Sequence, residues 1–212
     1  MKGGRIPTLR LCAGLLAGLS LGPVARATPL SDGAALYRQR KYAEARAILE
    51  PLAAAEPDNA AAAYFLGMTL QRAGGPAALD SARAILARAV KLAPGNAGYL
   101  AEYAGVCLLM ADRDGSLGLA LEGREDMTRA IAENPADLDA RDGLMQFYAK
   151  APWPLGDPAR ALELAGDIAA RNPKRGTAAY LLVAALFDRR GMHERASEAT
   201  LAAQRLAPPP KD

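Results

Sequence analysis

Five times along this chain a small residue is followed twelve positions later by a proline: Ala45 to Pro57, Ala82 to Pro94, Gly123 to Pro135, Ala161 to Pro173 and Ala196 to Pro208. Recurrence at one spacing points to a single supersecondary unit stacked on copies of itself, each burying its apolar face against the next. The prolines are 37, 41, 38 and 35 residues apart, room for two helices and their connections. A proline has no amide hydrogen to donate and its ring collides with the preceding turn, so each one stops a helix. The 51% of apolar residues are mostly Ala and Leu, with only 5% aromatic, and β-branched runs bounded by turn residues are missing. The chain is therefore expected to be all-α.

The first 27 residues stand apart. Lys2, Arg5 and Arg10 precede an apolar run from Leu11 to Val24, and Ala25-Arg26-Ala27 has the small-x-small form of a cleavage site. This is the pattern of a secretory signal peptide cut after Ala27. The run falls short of the roughly 20 residues that a membrane helix needs, so no stable membrane insertion is expected after cleavage. The charge at Arg10 and the position of Cys12 disfavour lipidation. Cleavage removes four basic residues and no acid, leaving 22 Lys+Arg against 23 Asp+Glu. The pI of about 8.9 thus belongs largely to the leader, and nucleic acid is not an expected partner. Cys107 then has no intramolecular partner and reads as a buried thiol, with pairing between chains as the alternative.

From Ala27 onward the chain resembles the tetratricopeptide repeat (TPR) family, with its 34-residue unit of a Leu-Gly, then an aromatic, Ala, an aromatic or Leu, and Pro. The second repeat carries this as Leu66, Gly67, Leu70, Ala82, Leu86 and Pro94, and the fifth as Tyr180, Val183, Ala184, Phe187, Ala196 and Pro208. The first uses Gly33, Leu36, Ala45 and Leu49, the third Gly105, Leu108, Gly123 and Met127, and the fourth Leu144, Phe147, Ala161 and Ala165. The resemblance implies a right-handed α-solenoid of about five helix-turn-helix repeats over 28–210, near 28–59, 60–96, 97–137, 138–175 and 176–210. Small residues at Gly67, Ala82, Gly105, Ala161, Ala184 and Ala196 let paired helices approach closely. The middle three repeats have extra residues between their helices, read as longer turns at Gly74 to Asp80, Asp112 to Gly118 and Ala151 to Pro158. Such a row projects from one edge, as a partner surface or as tolerated drift.

In the family the first helices line a concave face that binds peptides. Carried over, the inward positions are Tyr37, Arg38, Tyr64, Met68, Arg72, Tyr99, Glu102, Arg141, Met145, Tyr148, Asp188 and Arg189, with Gln71, Val106, Leu109 and Leu181 among them. Tyrosines interleaved with arginines suit an extended peptide bearing carboxylates. The family's lysine and asparagine carboxylate clamp is absent from these positions. Trp153, between two prolines, reads as an exposed partner anchor or as a ring folded over its own repeat.

Catalytic chemistry has no constellation to stand on. His193 is the only histidine, far from Cys107, and Gly74-Gly75 leads into Pro76 without a phosphate-binding Lys-Ser/Thr. Asp112-Arg113-Asp114-Gly115 opens like a calcium loop but lacks the later ligands, and Glu122 and Asp126 read as solvated helix-face carboxylates. The expected function is therefore a non-catalytic periplasmic scaffold or adaptor for a protein or peptide, without cofactor or metal. The rival reading is an accessory subunit of an envelope transport or assembly system that binds a small ligand or a solute-binding protein.

Overall fold

The first three connections between repeats are punctuated by a proline and, two residues later, a polar cap: Pro57 with Asn59, Pro94 with Asn96, Pro135 with Asp137. The computed structural model describes residues 28–206, and the consequence of that punctuation is visible there. The backbone amides of Asn59, Asn96 and Asp137 close tight turns onto Glu56, Ala93 and Asn134. Their side chains then accept from the first free amides of the next helix, at Ala62, Tyr99 and Ala140. Each such cap is worth about 1 kcal/mol. The leader, with its cleavage point after Ala27, and Pro208 of the fifth repeat lie outside the described residues.

Among the described residues ten helices form five antiparallel pairs: α1 (Pro29–Arg38) with α2 (Tyr42–Ala55), α3 (Ala60–Ala73) with α4 (Pro76–Leu92), and α5 (Ala97–Asp114) with α6 (Leu117–Glu133). The series ends with α7 (Leu138–Lys150) on α8 (Pro158–Arg171) and α9 (Pro173–Arg189) on α10 (His193–Leu206). None is long and apolar enough to cross a membrane. The fifth pair starts ahead of the expected residue 176, because Asn172 caps the end of α8 and the start of α9 and Pro173 is already α9's first residue.

The expected row of long turns is corrected. Only Gly74-Gly75 separates α3 from α4, and only Gly115-Ser116 separates α5 from α6. The additional residues extend the helices, since Pro76 suits a first helical turn and Ala77, Ala78 and Leu79 are good helix formers. Asp112-Arg113-Asp114 is the last turn of α5, closed by Gly115 in the left-handed conformation at φ 66°. Its charges pair outward: Arg113 with Asp114 and Asp80, Asp112 with Lys150. A genuine loop remains in the fourth pair, where 151–157 joins α7 to α8.

First helices touch their neighbours at every step, α1 on α3, α3 on α5, α5 on α7 and α7 on α9. Consecutive second helices bring their backbones close only at α8 and α10; elsewhere they are joined by long side chains, as where Arg88 of α4 donates to the Ala53 carbonyl of α2. The tighter layer is the inner side of the curve, so the first helices form the concave face. Within pairs the close crossings use small residues as expected, with one exchange. In the second pair an added Cβ on Gly67 would lie 2.6 Å from Leu86 Cγ, so the glycine sits on the first helix. In the third pair it sits on the second helix, where a Cβ on Gly123 would meet Leu108 at 2.7 Å and the Ala104 carbonyl oxygen at 3.0 Å. This explains the glycine in the place of the repeat alanine. The core divides at α5, which turns Tyr103, Val106, Cys107 and Met110 to the first half and Leu100, Ala101 and Ala104 to the second. Cys107 is a free, fully buried thiol.

Candidate functional site

Two places on the first helices carry chemistry that the core does not need. The first is a track of rings on the inner face. Tyr37 at the end of α1 lies edge-on to Phe65 (6.2 Å between centroids), Phe65 meets Tyr64 at 5.2 Å, and Tyr64 stacks on Tyr99 of α5 at 4.5 Å and 23°. Offset stacks and edge contacts are favoured ring geometries, and they let one surface span three consecutive first helices. The guanidinium of Arg38 lies 5.6 Å from the Phe65 ring centroid, a cation-π contact.

Beyond Tyr99 the track becomes acidic. Glu102 is partly buried, and burial pushes its carboxyl above the usual range; Arg72 opposes this, while Asp139 and Asp137 add to it. Burial likewise raises Asp142, against the pull of Arg175. Arg175 of α9 ties back to α7 through Asp139 at 2.7 Å. Burial also raises the Tyr37 and Tyr64 hydroxyls, so these rings stay neutral hydrogen-bonding groups. The inner face therefore runs from Arg38 and Arg72, across neutral rings, to a cluster of carboxylates.

Of the residues assigned to this face from sequence, the structure brings together Tyr37, Arg38, Tyr64, Arg72, Tyr99 and Glu102. It does not bring in the others. Met68 and Met145 are core. Arg141 is buried, donating Nη1 to the Asp137 carbonyl at 2.9 Å, so it holds the first turn of α7. Tyr148 packs edge-on to Phe147 and borders a shallow depression with Arg124, Thr128 and Arg129 of α6. Asp188 and Arg189 are exposed on the last pair, where Asp188 meets His193 Nδ1 at 2.9 Å. Phe65, Asp137 and Asp139 join the track unforeseen; the capping position of Asp137 was the only sequence signal for any of them.

The second place is a cavity of about 500 Å³ at the turn end of α5, α6 and α7. Leu108, Leu109, Leu117, Met127, Phe147 and Leu155 give it an apolar wall, and Gln71 reaches it from α3. Pro152 and Leu155 of the 151–157 loop close one side. That loop is pinned by the amides of Leu155 and Gly156 on the Pro152 carbonyl and of Asp157 on the Tyr148 carbonyl. Trp153 projects from it 87% exposed, so the folded-back reading is set aside.

Glu122 is more than a solvated carboxylate. It accepts two bonds from Arg83 Nη2 of α4, at 3.0 and 3.1 Å, and one from the Tyr103 hydroxyl of α5. The second and third pairs are thereby clasped at their outer layer. Among the described residues no group of three or more His, Cys, Asp or Glu is arranged to hold a metal ion.

No protein-family model matches the sequence, and no curated protein matches it. Solved structures do. A crystal structure of MamA superposes with a TM-score of 0.63 at 18% identity, over 82% of this chain and 93% of that one. YrrB, described as a TPR protein with an unusual peptide-binding site, gives 0.60 at 16% identity, over 85% of this chain and 86% of that one. This is a tetratricopeptide-repeat fold. A mutant O-GlcNAc transferase from Thermobaculum terrenum gives 0.57 at 26% identity, but the match covers 68% of this chain and only 25% of that enzyme. The TPR solenoid supplies the scaffold; what it binds follows from the side chains on its faces.

Proposed function

We propose that this TPR solenoid is a non-catalytic scaffold that holds an extended peptide along its concave face, and that it works in the periplasm. The observation that carries the reading is the continuous track of Tyr37, Phe65, Tyr64 and Tyr99, charged at both ends. Rings present large contact area at low entropic cost, and the charged ends set direction: a ligand carboxylate toward Arg38 and Arg72, a ligand cation toward Glu102, Asp137 and Asp139. The peptide-binding site described for YrrB supports the use of this fold for such a ligand. The leader supports export.

Selection of peptides from a displayed random library against residues 28–212 tests the binding. The expected result is a consensus with an acidic and a basic end, whose affinity falls at least tenfold in Arg72→Glu and in Tyr64→Ala. Equal binding by both variants overturns the assignment of the face. Amino-terminal sequencing of the protein from a periplasmic fraction tests the location, with Thr28 expected as the first residue; an intact Met1 in the cytosol overturns it.

The cavity beside α5 favours a second reading, that of an accessory subunit of an envelope transport or assembly system which also takes a small ligand.

A further inference from the structure

Gly105 stands out among the helix glycines. At Gly67, Gly123 and Gly176 an added Cβ would come within 3 Å of a neighbour, so packing accounts for the missing side chain. At Gly105, in the middle of α5, an added Cβ would meet nothing within 4 Å. Glycine is the poorest helix former after proline, and here neither close packing nor a left-handed backbone accounts for it. Its structural consequence is space, because Gly105 lines the cavity between α5, α6 and α7.

The cavity wall adds an independent observation. Gln71 lines it, and the Gln71 Oε1 is buried without a hydrogen-bond partner among the described residues. A buried acceptor left unpaired is costly; the Oε1 is covered in the unliganded protein, and an occupant bearing an N–H or O–H would draw the Gln71 amide toward the cavity and satisfy it. The remaining polar groups select against charge. Lys150 Nζ and Asp112 Oδ2 face each other at 3.7 Å and compensate one another, while Gln146 and Ser116 are neutral. A charged ligand entering here would lose hydration and find no unpaired counter-ion. Its volume of about 500 Å³ falls within the range of small-molecule sites, and its lining of leucines, Met127 and Phe147 suits an apolar body.

We infer that this cavity is a binding site for a neutral, largely apolar small molecule that carries one hydrogen-bond donor to Gln71, and that Gly105 keeps it open. The inference deepens the small-ligand reading above and is independent of the peptide track. The occupant's class is aromatic or branched aliphatic, with a hydroxyl or amide as its donor.

Calorimetric titration of residues 28–212 tests it with three probes of one shape: 1-naphthol, naphthalene and 1-naphthoate. The expected order is 1-naphthol tightest and 1-naphthoate weakest. Gly105→Leu is expected to fold with an unchanged or raised Tm and to weaken 1-naphthol at least tenfold, since its side chain fills the cavity. Gly105→Ala, a smaller filling, weakens it less and guards against a folding defect. Gln71→Leu is expected to lower 1-naphthol affinity several-fold and leave naphthalene unchanged. No binding of any probe, or binding that Gly105→Leu leaves intact, overturns the inference. So does a dimer in sedimentation that Trp153→Ala abolishes and 1-naphthol cannot dissociate, because a second copy's Trp153 would then be the occupant. Membership in a transport or assembly system is judged separately, by co-purification with an envelope complex.

Discussion

Replacing Gly176 by alanine puts a methyl group where α8 and α9 cross. The new Cβ would lie 2.3 Å from both the Cα and Cβ of Ala169, and 2.9 Å from its backbone nitrogen. Ordinary contact begins at 3.4 Å. No rotamer change relieves a clash with backbone, so the helices must part by about 1 Å, a distance over which close-packed contacts lose much of their attraction. Overpacking of this kind costs about 1–3 kcal/mol, against about 1 kcal/mol gained by removing a helix glycine. Because the clash is with backbone, the upper end of that cost applies, and the net expectation is destabilisation by about 2 kcal/mol. In a solenoid the cost falls on the interface between neighbouring repeats, so α9 and α10 should open before α1 to α8. Urea denaturation followed by circular dichroism reads the magnitude, and hydrogen exchange resolved by segment reads the location. Gly105→Ala is the internal control: with open space at its Cβ it should gain about 1 kcal/mol, raising Tm by about 2–4 °C. A Gly176→Ala protein as stable as the parent, or one that loosens uniformly, would refute the packing argument.

Glu122→Ala should cost about 1–3 kcal/mol, because it strands Arg83 and the Tyr103 hydroxyl together; Arg83→Met/Glu122→Leu should recover part of that loss, and a denaturant series over the four proteins measures the coupling. For pH, Glu102 has a folded-state pKa above its unfolded value, so its charge opposes folding near neutrality and protonation relieves the strain. Glu102→Gln is therefore expected to be more stable than the parent at pH 7, with the difference vanishing as pH falls through the raised pKa; thermal melts between pH 7 and pH 4 check the sign. Gly156→Ala would drive a Cβ to 1.9 Å from the Ala151 carbonyl oxygen, so it should disorder the 151–157 loop and weaken 1-naphthol binding while peptide binding on the inner face persists.

The repeat was legible because its punctuation is local chemistry. A proline follows the second helix of each of the first four pairs, an Asn or Asp two residues on, or Asn172 just before it, caps the next helix, and a small residue marks each crossing; all three act within a few residues of where they are read. The loop lengths were not legible in the same way. Gaps of 12 and 15 residues between landmarks do not distinguish a longer turn from longer helices, and the runs after Gly75 and before Gly115 continue helically. On the inner face, the positions carried over from the family include Tyr37, Tyr64, Arg72, Tyr99 and Glu102, which the structure brings together, and Arg141, which it does not. That residue reads as an inward charge, yet its guanidinium turns back onto the Asp137 carbonyl within its own helix. The cavity was hidden for another reason. Gly105 occupies the position of a close-packing glycine, and only three-dimensional neighbours reveal that Ala104 performs the packing while Gly105 faces empty space.

In the proposed function, the ring track on the concave face is the peptide site. Chemical-shift mapping of the isotopically labelled protein, titrated with a peptide chosen by library selection, tests it most directly. The largest changes are expected at Tyr37, Phe65, Tyr64, Arg72, Tyr99 and Glu102, with little at α4, α6 and α8. Changes concentrated on those second helices, with the Tyr64 and Tyr99 rings undisturbed, would contradict it.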